Sequence, residues 1–315
     1  MDSRTGLPLT DSLQPNIRTL FREAERVWSA RPDLRRLYGS IENIEFWIWL
    51  VWHGAGEDPG LAAAELPFPP AELLERVAGW GCSHETFRRG GIVDWRRVVT
   101  TLRDAGFAFE QGHVLEFGCG CGRILRHFTR FAHACRFTGV DIDADAIAWS
   151  RGNLGFAEFH TIATLPPTGL PSASFDAAYS FSVFTHLPLD AQGAWLAELA
   201  RVLKPGALAS LTFHGKRAVE RWLDGTAPST TPTAERLRGD LVKLASEGYL
   251  FYEFGRLQSH HASNEEHWRK LDYSLYGNTF LTRAFVEREW TREFELVALH
   301  EGPDGWQDYA VLRRR

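Results

Sequence analysis

The residues of this 315-residue chain best suited to chemistry lie in one stretch, VLEFGCGCGR at 114–123. Gly118, Gly120 and Gly122 alternate there after a short apolar run, with Glu116 two places ahead of the first glycine and Arg123 directly behind the third. A glycine-rich turn between a buried strand and a helix lets backbone N–H groups approach a ligand closely, and the helix start adds a positive dipole end. That combination cradles a nucleotide-like cofactor. The GxGxG spacing differs from the GxGxxG turn of dinucleotide sites. Cys119 and Cys121 fill the positions between glycines, where a small residue is the simple requirement. Arg123 has two readings, a contact to an anionic group of the cofactor or a surface ion pair.

Three further stretches follow in order. GVDID (139–143) ends an apolar run at Asp141, a carboxylate placed where a strand meets its loop and suited to vicinal hydroxyls of a ribose, with Ile142 beside it to pack on a flat ring and Asp143 or Asp145 to cap the next helix. FDAAYSFSVFTHL (175–187) reads as a buried strand running into a loop that carries Ser182 and His186, and Asp176 at its start is structural. LARVLKPGALASLTFHG (199–215) is a helix end, a turn and another buried strand. His186 is the leading candidate general base, an imidazole whose ordinary pKa lies near neutral pH, with His260 and His261 of the insertion behind it; the alternative is a histidine hydrogen-bonded beneath the loop to hold it.

Together these blocks resemble the class I S-adenosylmethionine-dependent methyltransferases, over roughly residues 107–215 and more faintly over the last thirty. The resemblance implies an α/β, Rossmann-like sheet of seven mostly parallel strands with an antiparallel last strand, and S-adenosylmethionine lying across the carboxyl ends of the first, second and fourth strands. It implies Glu116, Gly118, Cys119, Gly120, Arg123, Asp141, Ile142, Thr161 and Ser182 as the cofactor-binding set. It also places Arg88 or Arg89 beside the methionine end, with a solvated surface pair as the alternative. One departure stands out: no acidic residue occurs between Glu158 and Asp176, where the family commonly receives the adenine amino group, so the loop at Thr161 to Thr164 has to serve instead.

Stepping outward, the chain reads as four regions: a helical cap over 1–93, a cofactor-binding core over 94–215, an insertion over 216–281 on the substrate side, and a helix with a strand hairpin over 282–315 that completes the core. Residues 1–12 read as a loose leader. Apolar residues at helical spacing from Ile17 to Trp28 predict one amphipathic helix; a second runs from about Ser40 to His53, and a third from Pro70 to a stop at Gly79. Asp94 is expected to cap a helix carrying Trp95, Val98, Val99 and Leu102, and Arg123 to begin the helix after the cradle. Within the insertion a helix passes through Leu237, Leu241 and Leu244, and His260, His261, His267, Trp268, Tyr273 and Tyr276 cluster beyond it. Thr282 caps a helix to Trp290, and 294–302 and 306–314 form the hairpin.

Composition bounds the function. With 44% hydrophobic and 24% charged residues the chain buries one large core plus an appendage, and a net charge of −5 gives no basic face for nucleic acid. Four cysteines without a paired CxxC framework predict neither metal nor disulfide. The longest apolar run, FWIWLVW (46–52), is too short for a bilayer, so the expectation is a cytoplasmic protein, with a homodimer as one possible assembly. The leading functional reading is a small-molecule methyltransferase acting on oxygen or nitrogen. The alternatives are an S-adenosylmethionine-binding protein that transfers no methyl, and a nicotinamide-dependent oxidoreductase, which the glycine spacing disfavours.

Overall fold

The computed structural model describes residues 14–227, 229, 231–254, 273–302 and 305–315. Seven strands build the main sheet: β1 (Gly112–Phe117), β2 (Cys135–Asp141), β3 (Glu158–Thr161), β4 (Phe175–Ser180), β5 (Leu203–Phe213), β8 (Phe294–His300) and β9 (Asp308–Arg314). Between β5 and β8 in the chain, β6 (Tyr249–Glu253) and β7 (Gly277–Leu281) pair with each other as a separate antiparallel ribbon. The order across the main sheet is β3-β2-β1-β4-β5-β9-β8. The first five strands run parallel, and β9 enters antiparallel to both β5 and β8. This is the Rossmann-like architecture with its last strand reversed. The order changes direction beside β1, so the crevice beyond the carboxyl ends of β1, β2 and β4 is where such a sheet takes a ligand.

The strands are apolar on both faces because both faces are covered. Val114, Phe137, Ala177 and Tyr179 pack toward the N-terminal helices through Trp95, Val98 and Phe128. Leu115, Phe117, Val140 and Leu211 pack toward the helix Leu189–Val202 and the C-terminal helix Arg283–Glu289 through Trp195, Leu199 and Phe285. Thr282 caps that last helix through its side chain, as its position predicted.

Several helices differ from their sequence reading. Asp94 is not an N-cap: the helix runs unbroken over His84–Asp104, starts on a Ser83 cap, and holds Asp94 buried in its middle. The boundary expected between residues 93 and 94 therefore falls inside one element. The apolar segment expected as one helix to His53 is capped by Asn43, spans Ile44–Trp49, continues as a π-helical turn over Leu50–Gly54 and passes the glycine into a short helical turn Ala55–Glu57. After the cradle, the chain forms a 3-10 helix over Leu125–Phe131 instead of an amphipathic helix from Arg123. All seven of its residues are buried, because the cap helices cover the face that would otherwise meet water. Arg126 survives there by donating to the carbonyls of Leu66 and Pro67 and lying 4.4 Å over the Phe68 ring. The insertion's single expected helix is two, Ala234–Gly239 and Leu241–Glu247, divided at Asp240. Trp222, Leu237, Leu250, Tyr252 and Phe280 give it a small core of its own. The expected leader and the residues His260, His261, His267 and Trp268 lie outside the described residues.

Candidate active site

The glycine cradle is held in shape by the end of β2. Gly118 and Cys119 donate their backbone N–H groups to the Val140 carbonyl at 2.8 and 3.0 Å, and Gly120 donates to Asp141 Oδ2 at 2.6 Å. Gly118 and Gly120 take φ values of +79° and +51°, a left-handed backbone that side-chain-bearing residues resist. A Cβ at Gly118 would fall 2.2 Å from Val183 Cγ2, and one at Gly120 would fall 2.6 Å from Val77 Cγ2. The turn is thus wedged between the loop after β4 and the helix Ala71–Ala78. From the other side, Gly91 lets the helix His84–Asp104 come so close that a Cβ there would meet the Arg123 carbonyl oxygen at 2.3 Å.

Around this turn opens a cleft of about 250 Å³. Glu116, Gly118, Cys119, Gly120, Arg123, Asp141, Ile142, Ser182 and His186 all line it. Thr161 does not. It is exposed at the end of β3, and Ile162 and Thr164 face the cleft in its place, because the strand extends one residue further than its apolar pattern indicated. Arg76, Val77, Phe181, Val183, Leu275 and Tyr276 complete much of the wall. Arg76 and Val77 come from a cap helix whose sequence carries no sign of the site. Phe181 and Val183, in contrast, flank Ser182 in the segment already marked as a site loop.

The charged residues of the cleft are arranged by specific partners. Asp141 accepts from Gly120 on one oxygen and from the Asp143 N–H, at 2.8 Å, on the other; burial still pushes its carboxyl up to about 6. Asp143 caps the helix Ala144–Asn153 and bridges to Arg76 at 3.0 Å. Arg123 pairs with Asp94 at 2.6 Å and lies 5.2 Å over the Phe181 ring, so its ion pair is a half-buried wall of the cleft rather than a surface feature. Arg88 and Arg89 are engaged with Glu65 and Glu85 at 3.0 and 2.8 Å and do not line the cleft. Ser182, with φ +62°, donates its N–H to Thr212 and accepts from Gln307 on its hydroxyl. Asp176 is structural, accepting from the His113 N–H and pairing with Lys204.

Glu116 is the unresolved charge. It is 2% exposed, and its nearest polar side chain is the Tyr179 hydroxyl on the same sheet face. Burial raises the carboxyl to about 8 against the pull of the Tyr179 hydroxyl and of nearby Arg123. A buried carboxyl that lines the cleft keeps acceptor capacity beyond its contact with Tyr179 and fits a donor group on a bound ligand. Because its pKa is higher in the folded chain than the ordinary carboxylate value, the folded state holds this proton more tightly than the unfolded state. Its contribution to stability is therefore lost as pH rises from about 4.5 toward about 8. Glu116→Gln should stabilise the ligand-free protein by about 1 to 3 kcal/mol at pH 8 and by much less at pH 5. Thermal unfolding at the two pH values measures this, and an equal shift at both would mean the carboxyl is not protonated in that range.

A family model described as a methyltransferase domain matches residues 114–206, the segment from β1 into the start of β5. Among curated proteins, the chain is 30% identical over 128 residues to an uncharacterized protein of Haemophilus influenzae, covering 38% of this chain and 48% of that one. It is 31% identical over 108 residues to an O-methyltransferase of Pyrenophora dematioidea, covering 31% of this chain and 38% of the relative. The chain thus spans less than half the length of either relative. A solved structure of an S-adenosylmethionine-dependent methyltransferase from Methanosarcina mazei aligns with 19% identity and a TM-score of 0.47, over 69% of this chain and 96% of that one. The matched segment forms the strands that carry the cradle, so residues 114–206 form a methyltransferase domain within a Rossmann-like sheet of order β3-β2-β1-β4-β5-β9-β8.

Proposed function

We propose that this protein binds S-adenosylmethionine in the cleft and transfers its methyl group to an oxygen or nitrogen of a small molecule. The observation that carries the reading is the junction of cradle and strand end: Gly120 hydrogen-bonds to Asp141 while the buried Glu116 and His186 line the same space. The bound sulfonium supplies an activated methyl group, and the protein's part is to align an acceptor with it and to exclude water. Asp141 keeps lone pairs beyond its two backbone contacts for ribose hydroxyls, Ile142 and Ile162 offer apolar surface to the adenine, and Glu116 with Arg123 meets the amino and carboxylate ends of the methionine. The cap and the insertion, which contribute Arg76, Val77, Leu275 and Tyr276 to the wall, serve as the acceptor side.

Small-molecule rather than nucleic-acid substrates are supported by the net charge of −5. No helix among the described residues is long and apolar enough to cross a membrane, and a cytoplasmic location is part of this proposal, as is a homodimer. The test is incubation with S-adenosylmethionine labelled in its methyl group and a library of phenols, alcohols and amines. Label appearing in an acceptor is the expected result; stoichiometric cofactor binding with no transfer to any class would favour a binding protein.

A further inference from the structure

A second cavity, of about 60 Å³, lies within the cap and shares no lining residue with the cleft. Trp47, Leu50 of the π-helical turn, Leu61 of the helix Pro59–Ala64 and Ile92 of the helix His84–Asp104 make it apolar on most sides. Its polar wall centres on Arg126, from the 3-10 helix that follows the cradle, with Glu65 and His127 beside it.

The charges of that wall do not balance. Arg126 is 3% exposed, and burial lowers its guanidinium only to about 10, so the group stays protonated at pH 7. Its Nη2 is engaged by the carbonyls of Leu66 and Pro67, and its Nη1 has no acceptor among the described residues. The carboxylate that offsets its charge is Glu65, which Arg88 already holds at 3.0 Å. Two guanidiniums thus share one carboxylate, and the charge of Arg88 acts against that of Arg126. His127 adds nothing to the sum, because burial keeps its imidazole neutral at pH 7. A buried charge without a full counter-charge is costly, and a bound anion removes that cost.

The dimensions and walls of the cavity narrow the class of anion. One water-sized group needs roughly 10–15 Å³ of such space, so the cavity has room for about four to six non-hydrogen atoms. A carboxylate suits the guanidinium, whose N–H groups lie in one plane. A short alkyl chain behind it gains burial against Trp47, Leu50, Leu61 and Ile92, which a bare inorganic anion leaves uncovered. A dianion exceeds the charge to be neutralised and meets Glu65 in the wall.

We propose that this cavity is a binding site for a short-chain monocarboxylate, of acetate to butyrate size, whose carboxylate pairs with Arg126 and whose chain fills the apolar side. The occupant braces the 3-10 helix Leu125–Phe131 against the helices of the cap. The site is independent of the methyl-transfer reading.

The experiment titrates the full-length protein with sodium propionate by calorimetry at pH 7 and constant ionic strength, with propionamide and chloride as comparisons. Propionate should bind at one site with a millimolar Kd, and the two comparisons at least about tenfold more weakly. At about ten times its Kd, propionate should raise the thermal unfolding midpoint by about 2 to 4 °C. Arg126→Met should abolish the response. Val51→Phe places a ring in the same space without altering Arg126, and it should abolish the response too, which keeps the test decisive if the methionine variant does not fold. Arg123→Gln, which changes the arginine of the cleft, should leave the propionate Kd within about twofold of the parent's. Absence of saturable propionate binding, or equal binding of propionamide or chloride, would overturn the proposal. So would parental binding in Val51→Phe, or loss of binding in Arg123→Gln, which would put the carboxylate in the cleft instead.

Discussion

Gly118→Val and Gly120→Val should each weaken S-adenosylmethionine binding by more than about a hundredfold while the far-ultraviolet circular dichroism of the protein stays close to the parent's. Two costs combine at each position. The backbone takes a positive φ that valine resists, and the new side chain would strike Val183 or Val77 at distances no carbon pair tolerates. Relief requires the loop after β4 or the helix Ala71–Ala78 to move outward, and both are walls of the cleft. At Gly120 the consequence extends further, because its N–H is one of the bonds that hold the Asp141 carboxylate. Cys119→Ala should be mild, since the thiol is buried against Gly139 and is a filler between glycines. Calorimetric titration of the three variants orders them. A valine variant with parental affinity would mean that the glycines serve packing alone.

Asp141→Ala should weaken cofactor binding by about ten- to a hundredfold, the value of charge-assisted hydrogen bonds to two ribose hydroxyls. Asp141→Asn should cost less, as one acceptor oxygen survives. The carboxyl's position also gives the effect a pH dependence of defined sign. Burial raises it to about 6, so the ionised form that accepts both hydroxyls is dominant at pH 7 and minor at pH 5. Cofactor affinity should therefore fall by roughly tenfold between those two values in the parent protein and stay flat over that interval in Asp141→Asn. Acceptor KM at saturating cofactor should hardly change in either variant, which separates a ribose contact from a general loosening. Parental affinity in Asp141→Ala would remove the ribose assignment and make Asp143 the next residue to substitute.

The legible parts of this molecule were those in which one local signal has one structural solution. Three alternating glycines after a buried strand dictate a turn of positive φ, and a carboxylate at the end of the next strand falls beside it because neighbouring parallel strands end at one edge. Asp143 and Thr282 cap helices as their positions indicated. The errors share a different origin. Asp94 looks like a helix start because Gly90 and Gly91 precede it, and glycines usually interrupt a helix; here Gly91 is retained for close approach to the Arg123 carbonyl, a demand made by a residue far along the chain. The helix expected from Arg123 is a 3-10 helix whose arginines, Arg126 and Arg130, are buried because the cap returns over them. The lining residues Arg76, Val77 and Leu275 reach the cleft through tertiary packing from segments with no periodicity tied to the site, whereas Tyr276 belongs to the insertion cluster expected on the substrate side. Asp94 itself, misplaced as a cap, is the partner that holds Arg123 at the cleft wall.

The most direct test is calorimetric titration of the full-length protein with S-adenosylmethionine, with its demethylated product, and with reduced nicotinamide dinucleotide, each repeated on Asp141→Ala. One-to-one binding of the sulfonium and its product at micromolar Kd is expected, weakened in the variant, with no heat from the nicotinamide. Heat from the nicotinamide and none from the sulfonium would contradict the assignment of this cleft.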